Sequence, residues 1–277
     1  FLIIIVNAQA KVWTPETSIQ VKRISDLNFS NKNQVAMVVR EALIEEEKSE
    51  YLNQIWVSKS NNIEPTKFTY HEKSSSHPRF SPDGNYLAFL SAREEKTQIW
   101  LMRTNGGEAW QFTYEKQGVG SFEWSPDGSK IAFLMKDPLT EKEEKDEKEK
   151  RDVILVDKNY KYSHLYIKVF TTKIDTTKSD RITKGNYHIT DFNWKPNGKT
   201  IVFSQSIDPT INSRFVSGDI SLINIRTKTV KALVTWKGNA ANPIFTPDGK
   251  LIVFTSDGKK NEPIGLSDTY IISSNGG

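Results

Sequence analysis

A Pro-Asp-Gly turn that keeps returning constrains this chain more than any other feature. Ser81-Pro82-Asp83-Gly84 sits between Phe80 and the apolar run Tyr86 to Leu90. Proline presets φ at about −65° for the second turn position, aspartate bonds the local backbone, and glycine accepts positive φ. Trp124-Ser125-Pro126-Asp127-Gly128, Trp194-Lys195-Pro196-Asn197-Gly198 and Phe245-Thr246-Pro247-Asp248-Gly249 repeat it, and Phe29-Ser30-Asn31-Lys32-Asn33 is a worn copy. The place that needs φ > 0 holds Asn33, Gly84, Gly128, Gly198 and Gly249, the residue types that tolerate it best. These positions are 51, 44, 70 and 51 residues apart. A period of that length, made of short strands, predicts an all-β chain, a β-propeller of four-stranded blades.

About five blades are expected, near residues 27–70, 77–114, 120–184, 188–236 and 241–277. Their second strands, such as Tyr86-Leu87-Ala88-Phe89-Leu90, are apolar on both faces, as stacked blades require. The long third step contains a charged insertion at 136–151, in which EKEEKDEKEK (141–150) cannot bury a face. Pairs such as Glu141 with Lys145 and Glu144 with Lys148 suit a short helix, and disorder is the alternative. Ahead of the blades, Thr14-Pro15-Glu16 predicts a helix near 15–24. Phe1 to Val6 followed by Ala8-Gln9-Ala10 reads as the remnant of a secretory signal over residues 1–10, which puts the partial propeller at 11–277 and the protein outside the cytoplasm. Asn275-Gly276-Gly277 matches Asn105-Gly106-Gly107, after which blade two still has its outer strand to come. The expectation is therefore an incomplete ring whose unpaired edges favour homo-oligomers or aggregates.

Chemistry is sparse. The absence of cysteine excludes disulfides and thiolates, and a net charge of +4 without an aromatic-laced basic cluster argues against nucleic acid. No Gly-x-Ser-x-Gly elbow and no phosphate-cradling glycine loop occurs, and His71, His77, His164 and His188 show no metal-ligand spacing. No catalytic, cofactor-binding or metal residue is therefore assigned, and no cofactor is expected. His77, just before its turn, and His188, taken as its equivalent two blades on, suggest a strand role. Glu45-Glu46-Glu47 reads as a solvated connection. Of seven tryptophans, Trp124 and Trp194 share the place before the turn, and Trp56 and Trp100 share a strand position, which points to packing between blades more than to a sugar platform. Trp13, Trp110 and Trp236 have no assigned role.

The opening Thr14-Pro15-Glu16 with Lys22-Arg23-Ile24-Ser25, then Arg40-Glu41-Ala42 leading to Tyr51 and Gln54-Ile55-Trp56, resembles exported serine peptidases of the prolyl oligopeptidase family, in the acylaminoacyl-peptidase and dipeptidyl-peptidase V branch. Val153-Ile154-Leu155-Val156-Asp157 followed by Tyr162-Ser163-His164-Leu165-Tyr166 is similar as well. The resemblance implies a seven-bladed propeller over an α/β-hydrolase domain whose Ser-Asp-His triad lies after residue 277, with short peptides as substrates. It assigns no catalytic residue here. The blades alone are also similar to the propeller of the Tol translocation protein, which gives a periplasmic protein-binding module as the alternative.

Overall fold

The computed structural model describes residues 13–45, 48–59, 62–151, 158–210, 212–213, 217–236, 238–258 and 266–276. Among them five antiparallel sheets follow one another in chain order. The first holds β1 (Arg23–Phe29), β2 (Gln34–Glu45), β3 (Lys48–Lys59) and β4 (Asn62–Lys67). The second holds β5 (Ser75–Phe80), β6 (Tyr86–Ser91), β7 (Gln98–Arg103) and β8 (Trp110–Gln111). The third is β9 (Phe122–Trp124), β10 (Lys130–Lys136), β11 (Ser163–Val169) and β12 (Asp180–Arg181). The fourth is β13 (His188–Trp194), β14 (Thr200–Ser206), β15 (Asp219–Asn224) and β16 (Val230–Val234). The fifth has three described strands, β17 (Ala240–Phe245), β18 (Leu251–Ser256) and β19 (Asp268–Ser273). Each sheet is a meander, so each is one propeller blade, and the expected all-β fold is the one found.

The turns explain why the strands pair as they do. In blade two the Gly84 amide donates to the Ser81 carbonyl (2.8 Å), Asp83 Oδ1 accepts from the Asn85 amide (3.0 Å), and Ser81 Oγ accepts from the Tyr86 amide (3.0 Å). Asp127 and Asp248 repeat the contact with the amides of Ser129 and Lys250, each at 3.0 Å. The Ser125 hydroxyl is the main reason the Asp127 carboxyl is held down to about 2. Positive φ is only half the case for glycine here. A Cβ on Gly128 would meet the Pro82 ring at 3.4 Å, and one on Gly249 the Pro196 ring at 3.3 Å. Each of these turns lies against the turn of the blade before it.

Four apolar cores separate the five blades, and a single strand feeds two of them. Leu87 and Phe89 of β6 join Ala36, Ile55 and Val57 of blade one, while Ala88 between them joins Phe122, Ile131 and Phe133 of blade three. Alternate side chains point to opposite faces of a strand, so a continuous apolar run is what a sheet buried on both faces needs. Ala132 and Leu134 continue the series toward Ile201 and Phe203, and Val202 toward Phe245 and Phe254. The aromatic before each turn plugs the seam. Trp124 and Trp194 are 8% and 5% exposed, whereas Phe29, with no described blade on its side, is 71% exposed. Trp110 packs edge-on against Tyr86, and Trp236 against Phe254 and Tyr270, while Trp13 is exposed.

A buried hydrogen-bond lock closes the first three blades. In blade one Thr69 Oγ1 donates to Gln54 Oε1 (2.5 Å) and accepts from the Ile55 amide (2.9 Å). In blade two Thr113 Oγ1 does the same with Gln98 (2.8 Å) and the Ile99 amide (2.9 Å). His164 replaces the glutamine in blade three, its Nδ1 lying 3.1 Å from Thr183 Oγ1, which accepts from the Leu165 amide. Burial holds the His164 imidazole down to about 4, so the ring is neutral at pH 7 and accepts the Thr183 proton.

Several local expectations need correction. The amino-terminal helix α1 spans only Pro15–Gln20, capped by Thr14 Oγ1 on the Thr17 amide, and Arg23 and Ile24 belong to β1, where they pair with Arg40 and Val39. A propensity signal starts a helix but does not resist a neighbouring strand that offers a ladder. The second and third strands of blade one form a twelve-residue pair with Glu45 opposite Lys48, so Glu45 is strand and not connection. Glu46 and Glu47 lie outside the described residues, as do residues 1–10 and Val153 to Asp157. The insertion forms a helix, α2 (Glu141–Lys148), but not through the pairs expected. A capping box between Thr140 and Glu143 starts it, Lys161 Nζ reaches Glu143 Oε2 at 2.6 Å, and the i,i+4 contact is Lys145 with Glu149 at 4.0 Å.

Candidate functional site at the inner seams

The first strands of neighbouring blades lie against each other, β1 with β5 and β13 with β17, whereas β4, β8, β12 and β16 pack chiefly within their own blades. The first strands therefore line the inside of the arc. The residue just before each seam aromatic is Asn28, Arg79, Glu123, Asn193 and Ile244. The four polar members bind across seams. Asn28 Oδ1 accepts from the Phe80 amide (2.9 Å), and Asn193 Oδ1 accepts from the Phe245 amide (3.0 Å). Asn193 Nδ2 donates to Glu123 Oε2 at 3.4 Å.

Between the first two blades the seam is ionic. Arg79 Nη1 donates to Asp26 Oδ1 at 2.8 Å, and Arg79 Nη2 lies 3.2 Å from His77 Nδ1. His77 Nδ1 also lies 3.5 Å from Asp26 Oδ2, and its Nε2 lies 3.2 Å from the Phe122 carbonyl of the third blade. Burial opposes the charge of Asp26, but the hydrogen bonds from His77 and Arg79 outweigh it and hold the carboxyl at about 2. Burial wins at Glu123, whose carboxyl is pushed up to about 7 although Arg79 and Asn193 favour its anion. Three blades thus meet at one chain of polar groups.

The backbone places these groups. Asp26, His77 and Asn242 have φ of 49°, 54° and 53°, each inside a bulge that breaks the first ladder of its blade. A bulge turns one extra side chain inward and tightens the twist. Counted back from the turn, the same position is Ser121 in blade three and Asp191 in blade four, where β13 also bulges. His188 is therefore not the counterpart of His77. It lies three residues earlier, and its Nδ1 accepts from the Ser163 amide at 3.0 Å to join blades three and four. The sequence reading assigned no site residue and passed over Asn28, Arg79, Glu123 and Asn193. The signal was available, since a polar residue stands directly before the aromatic in four of five repeats.

No nucleophile with an adjacent base occurs along this chain of groups. It can hold blades in register and present mixed charge to the inside of the arc.

Comparison with known proteins agrees with this fold. The family described as the tricorn protease N-terminal β-propeller domain matches residues 49–151. A Bacillus subtilis protein described as an uncharacterized peptidase, YuxL, is 31% identical over 84 residues, which cover 30% of this chain and 13% of that protein. The acylaminoacyl peptidase of Pyrococcus horikoshii superposes with a TM-score of 0.67 at 21% identity, over 95% of this chain and 40% of its own. TolB of Acinetobacter baumannii superposes with a TM-score of 0.57 at 16% identity, over 92% of this chain and 53% of its own. The chain spans well under two thirds of the length of each of these three relatives. It is a β-propeller similar in fold to those of peptidases and TolB, matched from the third strand of blade one to the inserted helix of blade three by the tricorn amino-terminal propeller family.

Proposed function

We propose that the chain is the non-catalytic propeller of an exported serine peptidase of aminoacyl- or dipeptidyl-peptidase type, limiting access of substrates to an α/β-hydrolase domain carried in cis beyond residue 277. The carrying observation is that both sequence-level matches, over residues 49–151 and over 84 residues, fall on peptidases. The inner-strand chemistry is compatible with this role, because it is built of interblade hydrogen bonds and ion pairs and leaves no activated nucleophile. Short peptides are the substrate class of the parent protein on this reading, and residues 1–10 are what is left of its export signal. The likeness to TolB supports a second reading, a periplasmic module that binds a protein partner.

The gene separates the two. Sequencing past the Gly277 codon is expected to show an open frame that completes the fifth blade, adds about two more, and continues into Gly-x-Ser-x-Gly followed by Asp and His. A stop codon soon after the missing blades overturns the peptidase reading and leaves the binding module.

A further inference from the structure

The lock that closes blades one to three is changed in blade four. The residue that opens the third strand is Gln54, Gln98 and His164 in the first three blades, each fastened to the threonine that ends the blade. In blade four that residue is Asp219 and the threonine is Thr235. The aspartate is shorter than glutamine by one methylene, and among the described residues no hydrogen bond or ion pair engages its carboxylate. A recess of about 740 Å³ opens at this point, bordered by both residues and by Tyr187, Gln205 and Trp236. Gln205 stands directly opposite Asp219 across the β14–β15 ladder, so the two side chains share a face, and Gln205 Oε1 is buried without a donor.

We propose that this recess binds an organic ammonium group, with Asp219 as its counter-ion. Among the described residues that line it, Asp219 is the one charged side chain. Burial raises its carboxyl above the ordinary value, and no cation among the described residues offsets the cost. The needed ligand must bring positive charge and N–H donors, one for the carboxylate and one for Gln205 Oε1. Tyr187 and Trp236 border the recess, and aromatic rings attract a desolvated cation. A metal ion fits poorly, since one carboxylate and one amide fall short of the six to eight oxygens that calcium takes. An ammonium group satisfies the same acceptors with three hydrogens. The inference does not rest on the peptidase reading, because it needs only the geometry of blade four.

The test is calorimetric titration of the purified protein with three probes: Nα-acetyl-lysine methylamide, glycyl-phenylalanine and, as an uncharged shape control, Nα-acetyl-norleucine methylamide. Binding of the lysine or the dipeptide probe, without binding of the norleucine probe, is expected, and whichever binds tells a side-chain ammonium from an amino terminus. Asp219→Asn is expected to weaken binding about tenfold or more while the melting temperature holds or rises, since one charge-assisted contact is lost and no native partner is orphaned. Asp219→Gln is expected to restore the lock to Thr235, abolish binding and raise the melting temperature. The proposal is overturned if neither cation binds at tens of millimolar, if norleucine binds equally well, or if both Asp219 variants bind like the parent. Because the norleucine comparison uses the unaltered protein, a variant that misfolds does not remove the test.

Discussion

Glu123 shows how much one residue depends on what the blades bring to it. One place further along, Trp124 fills the seam, and its indole donates to the Arg79 carbonyl at 3.1 Å. Glu123 points to the other seam, where burial pushes its carboxyl from the usual 4.5 up to about 7. A carboxyl raised on folding contributes stability that is fully present below pH 4.5 and is lost as pH rises through 7. Glu123→Gln is therefore expected to leave the melting temperature unchanged near pH 4 and to raise it above pH 7, by a stability on the order of 1–3 kcal/mol. Thermal melts of both proteins from pH 4 to 8 measure this, and a difference that stays flat with pH contradicts the assigned burial.

Among the elements, the second strands and the inserted helix are held by opposite means. Phe133 of β10 is fully buried in the core between blades two and three and stacks on Tyr166 of the next strand, with ring centroids 5.9 Å apart. Phe133→Ala is expected to cost about 3–5 kcal/mol, since two packed blades cannot collapse into the space. The α2 helix buries no residue and depends on its cap, so Thr140→Ala is expected to cost about 1 kcal/mol locally and to leave the global melt unmoved. Denaturant melts measure the first effect and amide exchange across residues 141–148 the second. Loss of the whole transition in the Thr140 variant would mean that the insertion braces the blades.

At the scale of the molecule, the two ends of the arc are its weak surfaces. Ile24, Leu27 and Phe29 are exposed on blade one and Ile271 on blade five, although their counterparts in the middle blades are buried, and Ile244 and Leu251 are exposed on blade five as well. Exposed apolar faces of this kind, beside unpaired strands, drive association. The protein is expected to self-associate at micromolar concentration, and Phe29→Lys combined with Ile271→Lys to suppress it, as read by sedimentation velocity. A monodisperse parent protein would show that the described residues cover these faces in another way.

What the sequence by itself determined is the repeat. Proline, aspartate and glycine fix a turn through short-range backbone sterics and hydrogen bonds, and the two-faced apolar strands then leave stacking as the way to bury both sides. That is local physics, and it is written where it acts. The capping box at Thr140 and Glu143 was equally local and could have been read, whereas the length of α1 was decided by the ladder that β2 offers to Arg23 and Ile24. The inner seams were decided by tertiary structure alone. Asp26, Arg79, His77 and the Phe122 carbonyl come from three blades, 96 residues apart at the extreme (122 − 26), and only the bulges aim them at one another. The recess beside Asp219 has the same origin. A single aspartate in place of glutamine carries no signal until the blade shows that Thr235 is left without the bond its counterparts make, because an unmet partner is a property of space and not of sequence.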